Sequence, residues 1–342
     1  MPSSDVRKIL ILRFSSLGDI IMATAMIRCL RKAFPLAQID MVVRADFLEL
    51  IENNPHLDRK LTVNRKEGWR GLLRLKRETD RQHYDVIYDA HRSLRTILLM
   101  PWLKAETKLY FKKPYFKRAL AMTFKLKSLI RGSKRMLERY IEPLESIGVH
   151  YDGLGPEVFV PRKEGGADGQ KWIGLVPSAQ WPGKRWPAEN FRRTLEKLLQ
   201  ETHEKFLVFG GPDDHFCEEI VRGLPEERVR NLQGKLTLSQ VFEAMTKVKI
   251  CIANDTGLMH VADALSIPSV LIFGPTNSDM GCLPFHPQSQ VLEHNLWCRP
   301  CSKNGQAPCI RKERWCLTLT TPQMVVEATQ KLLGSLPGKR GA

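Results

Sequence analysis

The chain has 342 residues, 43% of them hydrophobic, with 53 Lys and Arg against 37 Asp and Glu, a net charge of +16. That length predicts two domains or one large one, and the composition excludes disordered and collagen-like classes. No apolar run approaches the roughly 18–20 residues of a membrane span, and the N-terminal stretch has no apolar core followed by a small-residue cleavage site, so a cytoplasmic protein is expected.

The charge is uneven. Residues 1–160 hold 30 basic and 18 acidic residues, whereas the remainder holds 23 and 19. Lys104 to Arg139 alone has 12 basic residues and two acidic ones, interleaved with Trp102, Tyr110, Phe111, Tyr115, Phe116 and Phe124. A field this lopsided implies an anionic partner: nucleic acid, a membrane surface or an acidic substrate. Aromatics among cations suit peripheral contact with an anionic membrane, and equally a solvated helix pair with ordinary core aromatics.

Taken in order, KILILRF (8–14) reads as a strand with an arginine inside it. A helix follows near 20–33, with Ile20, Ala23, Ile27 and Leu30 on one face. QIDMVV (38–43) and YDVIYDA (84–90) are strands, with an Arg/Lys-rich helix near 68–80 between them. Residues 104–139 read as one or two helices, and PRKEGGADGQ (161–170) as a linker. The pattern then restarts with strands at 172–177, 205–211, 249–255 and 268–275, and helices near 187–200, 213–222, 237–246 and 257–265. Strand–helix alternation twice over predicts an α/β protein of two doubly wound parallel sheets. The boundaries expected are 1–165 and 171–320, with a last helix in 321–335.

In such sheets ligands lie beyond the carboxyl ends of the strands, and the unusual loops fall there. Ser15-Ser16-Leu17-Gly18-Asp19 follows the first strand. Asp19 is either an N-cap or a base kept ionised by the helix dipole. The loop lacks the spacing of a dinucleotide fingerprint or a Walker motif. In the loop 177–187, Lys184 and Arg185 could hold phosphate and Ser178 could donate to it, or the loop is simply solvated. Asp213 and Asp214, after 205–211, suit a ribose or a helix cap. Asp255, Thr256, Gly257 and His260 surround a helix N-terminus, a ready anion site, and Thr276 could complete a phosphate cradle. His91, Arg92 and Arg95 follow the strand at 84–90 and could meet the phosphate or carboxylate of an acceptor substrate. A nucleotide on the second domain, facing a base on the first across a cleft, is the economical reading.

Cys298, Cys301, Cys309 and Cys316 form C-x2-C-x7-C-x6-C. The first pair has the spacing of a zinc knuckle and the second is too wide for a standard one, so a structural metal is one reading of this run. Disulfides are disfavoured in the cytosol.

The chain resembles the ADP-heptose:lipopolysaccharide heptosyltransferases of glycosyltransferase family nine, from about Lys8 to Leu333. The carriers are SSLGD (15–19), KRWPAENF (184–191), the GGPDDH turn, NLQGKLTL (231–238), NDTGLMHVADAL (254–265), FGPT (273–276) and the cysteine run. NDTGLMH and KRWP in this order and at this separation are specific. The resemblance implies a GT-B fold whose last helix, here Pro322 to Leu333, crosses back to the first domain. It implies inverting transfer of heptose from ADP-heptose to the lipopolysaccharide inner core, with no metal for the transfer and no cofactor. By position, Asp19 matches the general base, with Ser16 and Gly18 beside it. Lys184 matches a phosphate-contacting lysine. Asp255, Thr256, Gly257 and His260 match the motif around the diphosphate and heptose, and Asp213 or Asp214 matches the ribose contact. Ala179 and Gln180 stand where some members have adjacent threonines, which leans toward the second-heptose type. Types I and III, or another sugar nucleotide, are the alternatives within the family. The implied acceptor is lipid A–Kdo–heptose. A monomer at the cytoplasmic face of the inner membrane is expected, with no nucleic-acid partner; a basic nucleic-acid-binding protein is the remote alternative, and a nicotinamide oxidoreductase lacks its glycine fingerprint.

Overall fold

A computed structural model of the chain describes residues 6–161, 171–302 and 304–336. Beyond Pro161, the linker expected at 161–170 lies outside the described residues, as does the Tyr115 side chain. The chain runs β1 (Lys8–Leu12), α1 (Leu17–Ala33), β2 (Gln38–Arg44), β3 (Arg59–Val63), α2 (Gly68–Gln82), β4 (Tyr84–Asp89), α3 (Leu94–Leu99), β5 (Ala105–Tyr110), α4 (Tyr115–Thr123) and α5 (Met136–Ile141). It continues with β6 (Trp172–Val176), α6 (Ala188–Glu201), β7 (Lys205–Val208), α7 (Phe216–Val221), β8 (Val229–Asn231), α8 (Leu238–Met245), β9 (Val248–Asn254), α9 (Gly257–Ala264), β10 (Ser269–Ile272), β11 (Gln290–Leu292), α10 (Trp315–Thr318) and α11 (Pro322–Ser335).

Two compact units result. The first comprises the described residues up to 114 together with 134–161; the second comprises 115–133 with the described residues from 171 onward. The sheet of the first unit has the order β3-β2-β1-β4-β5 and that of the second β11-β10-β9-β6-β7-β8. Every pairing in both is parallel. Parallel strands need helical crossovers and both faces covered, which is why their cores read as continuous apolar runs. Ile9 to Leu12 and Ile250 to Ala253 are fully buried.

Several expectations change. The segment 104–139 opens with a strand, β5, which pairs with β4 at the sheet edge. Its polar residues Glu106 and Lys108 fit an edge strand exposed to solvent and hide it from a reading by hydrophobicity. The short strands β3, β8 and β11 escaped for similar reasons. Residues 115–133 belong to the second unit: Arg118 donates to the Met280 carbonyl (2.9 Å), Lys127 to that of Leu296 (2.6 Å), and Ala121 and Ile130 pack on Met280. α1 is not amphipathic in place; it is buried on all sides from Ile20 to Leu30, because α5 packs against it and Arg28 is neutralised by Asp152 (2.8 Å) and Glu157 (2.8 Å).

α11 packs on the sheet of its own unit, against α6, β9, β10 and β11. Val325, Val326, Ala328, Leu332 and Leu333 join Ile173, Leu175, Ile252 and Ile272 in one core. Trp186 lies in the same core. Its indole N–H donates to the carbonyls of Leu317 (3.1 Å) and Thr320 (3.0 Å), so its polar atom is satisfied although the ring is buried.

Candidate active site

In the first unit the strand order reverses between β1 and β4, and the loops after these two strands therefore diverge and leave a crevice. Asp19 sits there. It is the third residue of α1, not its cap; Ser16 is the cap. The Asp19 carboxylate accepts from the Ser16 hydroxyl (2.8 Å) and backbone N–H (3.2 Å), and from the Tyr140 hydroxyl (3.3 Å). Its strongest partner is Arg13, at 2.6 Å. Arg13 continues the line of β1, is buried, and also donates to the Ala90 carbonyl beyond β4 (2.7 Å), so it spans the switch point. Burial would push the Asp19 carboxyl up, but the Arg13 guanidinium and the Ser16 donors outweigh it and bring it down to about 2. The carboxylate is ionised across the neutral range, and 31% of the side chain remains exposed to solvent. Gly18 is buried in the first turn beside it.

In the second unit the order reverses between β6 and β9. Lys184, in the loop after β6, meets Asp255, just after β9, at 2.5 Å. Thr276, after β10, donates its hydroxyl to the same Asp255 oxygen (2.6 Å). Three loops from three neighbouring strands thus converge on one carboxylate. Burial raises the Asp255 carboxyl, yet Lys184, Thr276 and His260 together lower it below the ordinary range. His260 is buried on α9, whose N-terminal end begins with Thr256 as cap and Gly257 as first residue. The first N–H groups of that helix have no intrahelical partner, and the helix dipole favours an anion there. Ser178 is buried in the loop after β6.

Other expected residues fall elsewhere. Asp214 closes its own turn by accepting from the Gly211 N–H (2.8 Å) and is paired with Arg185 (3.2 Å), so Arg185 is committed to the turn as well. Asp213 is exposed beside it. His91 packs on Phe14, and burial, with Arg13 and Lys113 nearby, lowers it to about 3; it is a neutral imidazole and adds no charge for an anion. Arg92 lies against the Tyr110 ring (5.0 Å), and Arg95 is exposed on α3. Among the described residues no group of three or more His, Cys, Asp or Glu side chains is placed to hold a metal ion, so the four cysteines do not assemble into a site.

Reasoning from sequence missed the residues that hold these groups. Arg13 was visible only as an arginine inside an apolar strand. Tyr140 lies 121 residues beyond Asp19, with no local signal. Asn254 accepts from the Trp186 N–H (3.1 Å) and donates to the Pro177 carbonyl (2.7 Å), tying the β6 and β9 loops together. It was seen only as part of a motif.

Two doubly wound parallel units in one chain, each with charged side chains gathered at its switch point, are the architecture of the GT-B class. The sequence profile of glycosyltransferase family 9 (heptosyltransferase) matches residues 72–309, and the chain belongs to that family. It is similar to lipopolysaccharide heptosyltransferase 1 of Pseudomonas aeruginosa, 24% identical over 95% of this chain and 98% of the relative. It is 26% identical to lipooligosaccharide heptosyltransferase 2 of Campylobacter jejuni, over 92% and 96% of the two chains. The solved structure of the Escherichia coli ADP-heptose lipopolysaccharide heptosyltransferase II superposes with a TM-score of 0.74 at 24% identity, covering 95% of this chain and 98% of that one.

Proposed function

We propose that this glycosyltransferase moves heptose from ADP-heptose to the inner core of lipopolysaccharide with inversion at the anomeric carbon, the second heptose being favoured. The observation that carries this reading is the convergence of Lys184, Asp255 and Thr276 beside the N-terminus of α9. A diphosphate needs a cation, a hydroxyl and free backbone N–H groups within reach, and these are present together.

The donor is assigned to the second unit and the acceptor to the first. Inversion takes one displacement from the face opposite the leaving group. Lys184 and the α9 N-terminus stabilise the charge that develops on ADP. Asp19 takes the proton of the acceptor hydroxyl. With its carboxyl near 2, Asp19 is a weak base, so it accepts that proton once the new C–O bond is largely formed and the hydroxyl has become strongly acidic. The structural alternative for Asp19 is a helix-start residue whose only role is to pair Arg13.

The acceptor lies in an anionic membrane. Residues 115–133 carry five cations and no acidic side chain, and Phe116, Phe124, Leu126 and Leu129 are exposed there. Among the described residues no helix is long and apolar enough to cross a membrane. Peripheral association at the cytoplasmic face fits these features.

The deciding experiment is ADP release from ADP-heptose with two acceptors, Kdo–lipid A without heptose and the same acceptor bearing one heptose. Turnover on the heptosylated acceptor alone is expected. Turnover on the heptose-free acceptor alone makes it a first-heptose enzyme, and turnover on neither removes the heptose reading.

A further inference from the structure

Among the described residues of the segment from Cys298 to Cys316 no group is placed to hold a metal ion, yet these residues are built into the second unit at a particular place. Their main chain lies across the loops that carry Lys184 and Thr276. The Cys301 N–H donates to the Pro275 carbonyl (3.1 Å). Arg314 donates to the Pro182 carbonyl (3.2 Å). Arg299 is buried at 3% exposure; it donates to the carbonyl of Thr276 and that of His294, with Glu293 at 3.3 Å. Ser302 closes a turn by accepting from the N–H groups of Gly305 (3.0 Å) and Ala307 (3.3 Å).

The tightest contact is between two glycines. A Cβ on Gly183 would lie 2.2 Å from the Gly305 carbonyl oxygen. Gly305 itself has φ +82°, and a Cβ there would lie 2.8 Å from Cγ of Lys184 and 3.4 Å from Pro275. The stem of Lys184 is therefore roofed by bare backbone, while its ammonium is held by Asp255. No side chain fits at Gly183 while the Gly305 backbone stays in place, nor at Gly305 while the Lys184 stem does.

We propose that the described residues of Cys298–Cys316 form a strap that sets the donor site, with Gly305 and Arg299 as positioning residues for Lys184 and Thr276. This rests on the reading of the β6, β9 and β10 loops as the donor site. The strap touches no reacting atom in this account. It acts by holding a lysine stem from above and a threonine carbonyl from behind, so that ammonium and hydroxyl meet on one carboxylate.

The test uses the full chain with Gly305→Ala and, separately, Arg299→Lys and Arg299→Ala. Two readouts are taken: the Kd for ADP by titration calorimetry, and the rate at which Lys184 is acylated by a small N-hydroxysuccinimide ester, read by peptide mass spectrometry. The expected result for Gly305→Ala is an ADP Kd raised roughly tenfold, a Lys184 labelling rate several times faster, and a folded protein whose melting temperature is lowered by the strain of a side chain at φ +82°. Arg299→Lys should retain more ADP affinity than Arg299→Ala. An unchanged Kd and an unchanged labelling rate in a folded Gly305→Ala protein would overturn the strap. If the wild type binds no ADP, the donor reading fails, and the labelling rate alone decides for or against the strap. If Arg299→Ala does not fold, Gly305→Ala decides.

Discussion

Asp19 and Asp255 are carboxylates at a switch point, Asp255 buried and Asp19 partly exposed, and each is held ionised by a neighbouring cation. The difference is in what else they can do. Asp255 is occupied by Lys184 and Thr276, whereas Asp19 retains solvent contact and lies next to Ser16 and Tyr140. Removing the Asp19 side chain (Asp19→Ala) should lower kcat about 10²–10⁴-fold, the usual worth of a base, with ADP affinity unchanged; lost ADP affinity would leave it a structural residue. Arg13 sets the pH range. The Asp19 carboxyl is depressed from 3.8 to about 2, so the active carboxylate form persists to low pH, and the stability it contributes is present above its unfolded value and lost as pH falls through the folded one. Arg13→Gln removes the largest lowering influence and leaves the Ser16 donors. The acid limb of kcat/KM should then move up by one unit or more, toward the ordinary carboxylate range, and a limb that stays in place would show that Asp19 is not the titrating base.

At the scale of elements, the second unit's core is closed from the carboxyl-terminal side. α11 and the turn before it supply Leu317, Val325, Val326 and Leu332 to a core that also holds Trp186 and Phe191. The two aromatic rings meet edge to face at 4.9 Å. Trp186 therefore joins the Lys184 loop to the end of the chain through packing and through its indole N–H. Trp186→Ala should cost about 3–5 kcal/mol by loss of buried surface and the cavity left behind. By thermal scanning, that is a fall of roughly 10 °C in the transition of a unit this size. Trp186→Phe keeps most of the volume but orphans two carbonyls, and should fall between. No shift with alanine would mean that the loop is held without the core.

The whole molecule carries +16, and 115–133, the middle of its most one-sided stretch, packs with the second unit although the chain reaches it from the first. If exposed Phe116, Phe124, Leu126 and Leu129 enter a bilayer surface while Lys117, Lys125 and Arg131 meet lipid phosphates, binding should depend on both terms. Co-sedimentation with vesicles of 30% phosphatidylglycerol in phosphatidylcholine should exceed that with pure phosphatidylcholine. It should fall severalfold at 0.5 M salt and in Lys125→Glu/Arg131→Glu, because surface charges are screened within about a Debye length. Equal binding to both vesicle types would remove the membrane from the account of the charge.

Much of this protein was legible from residues alone, for physical reasons that are local. Central parallel strands are buried on both faces, so KILIL, KICIA and SVLI stand out as apolar runs, and the loops after them announce themselves by glycines and charges. The motif that carries Asp255 to His260 and the KRWP stretch were enough to identify the family. Edge strands such as β5 were not legible, since a half-solvated strand has no continuous apolar face. What no local pattern could decide is pairing across the chain. Arg13 on Asp19, Tyr140 arriving from 121 residues away, Asp214 used up by Arg185, Gly305 roofing Lys184 and α11 lying on its own sheet all depend on which elements become neighbours. That is settled by packing the whole chain, because an ion pair or a close backbone approach needs two groups that only the tertiary fold brings within a few ångströms.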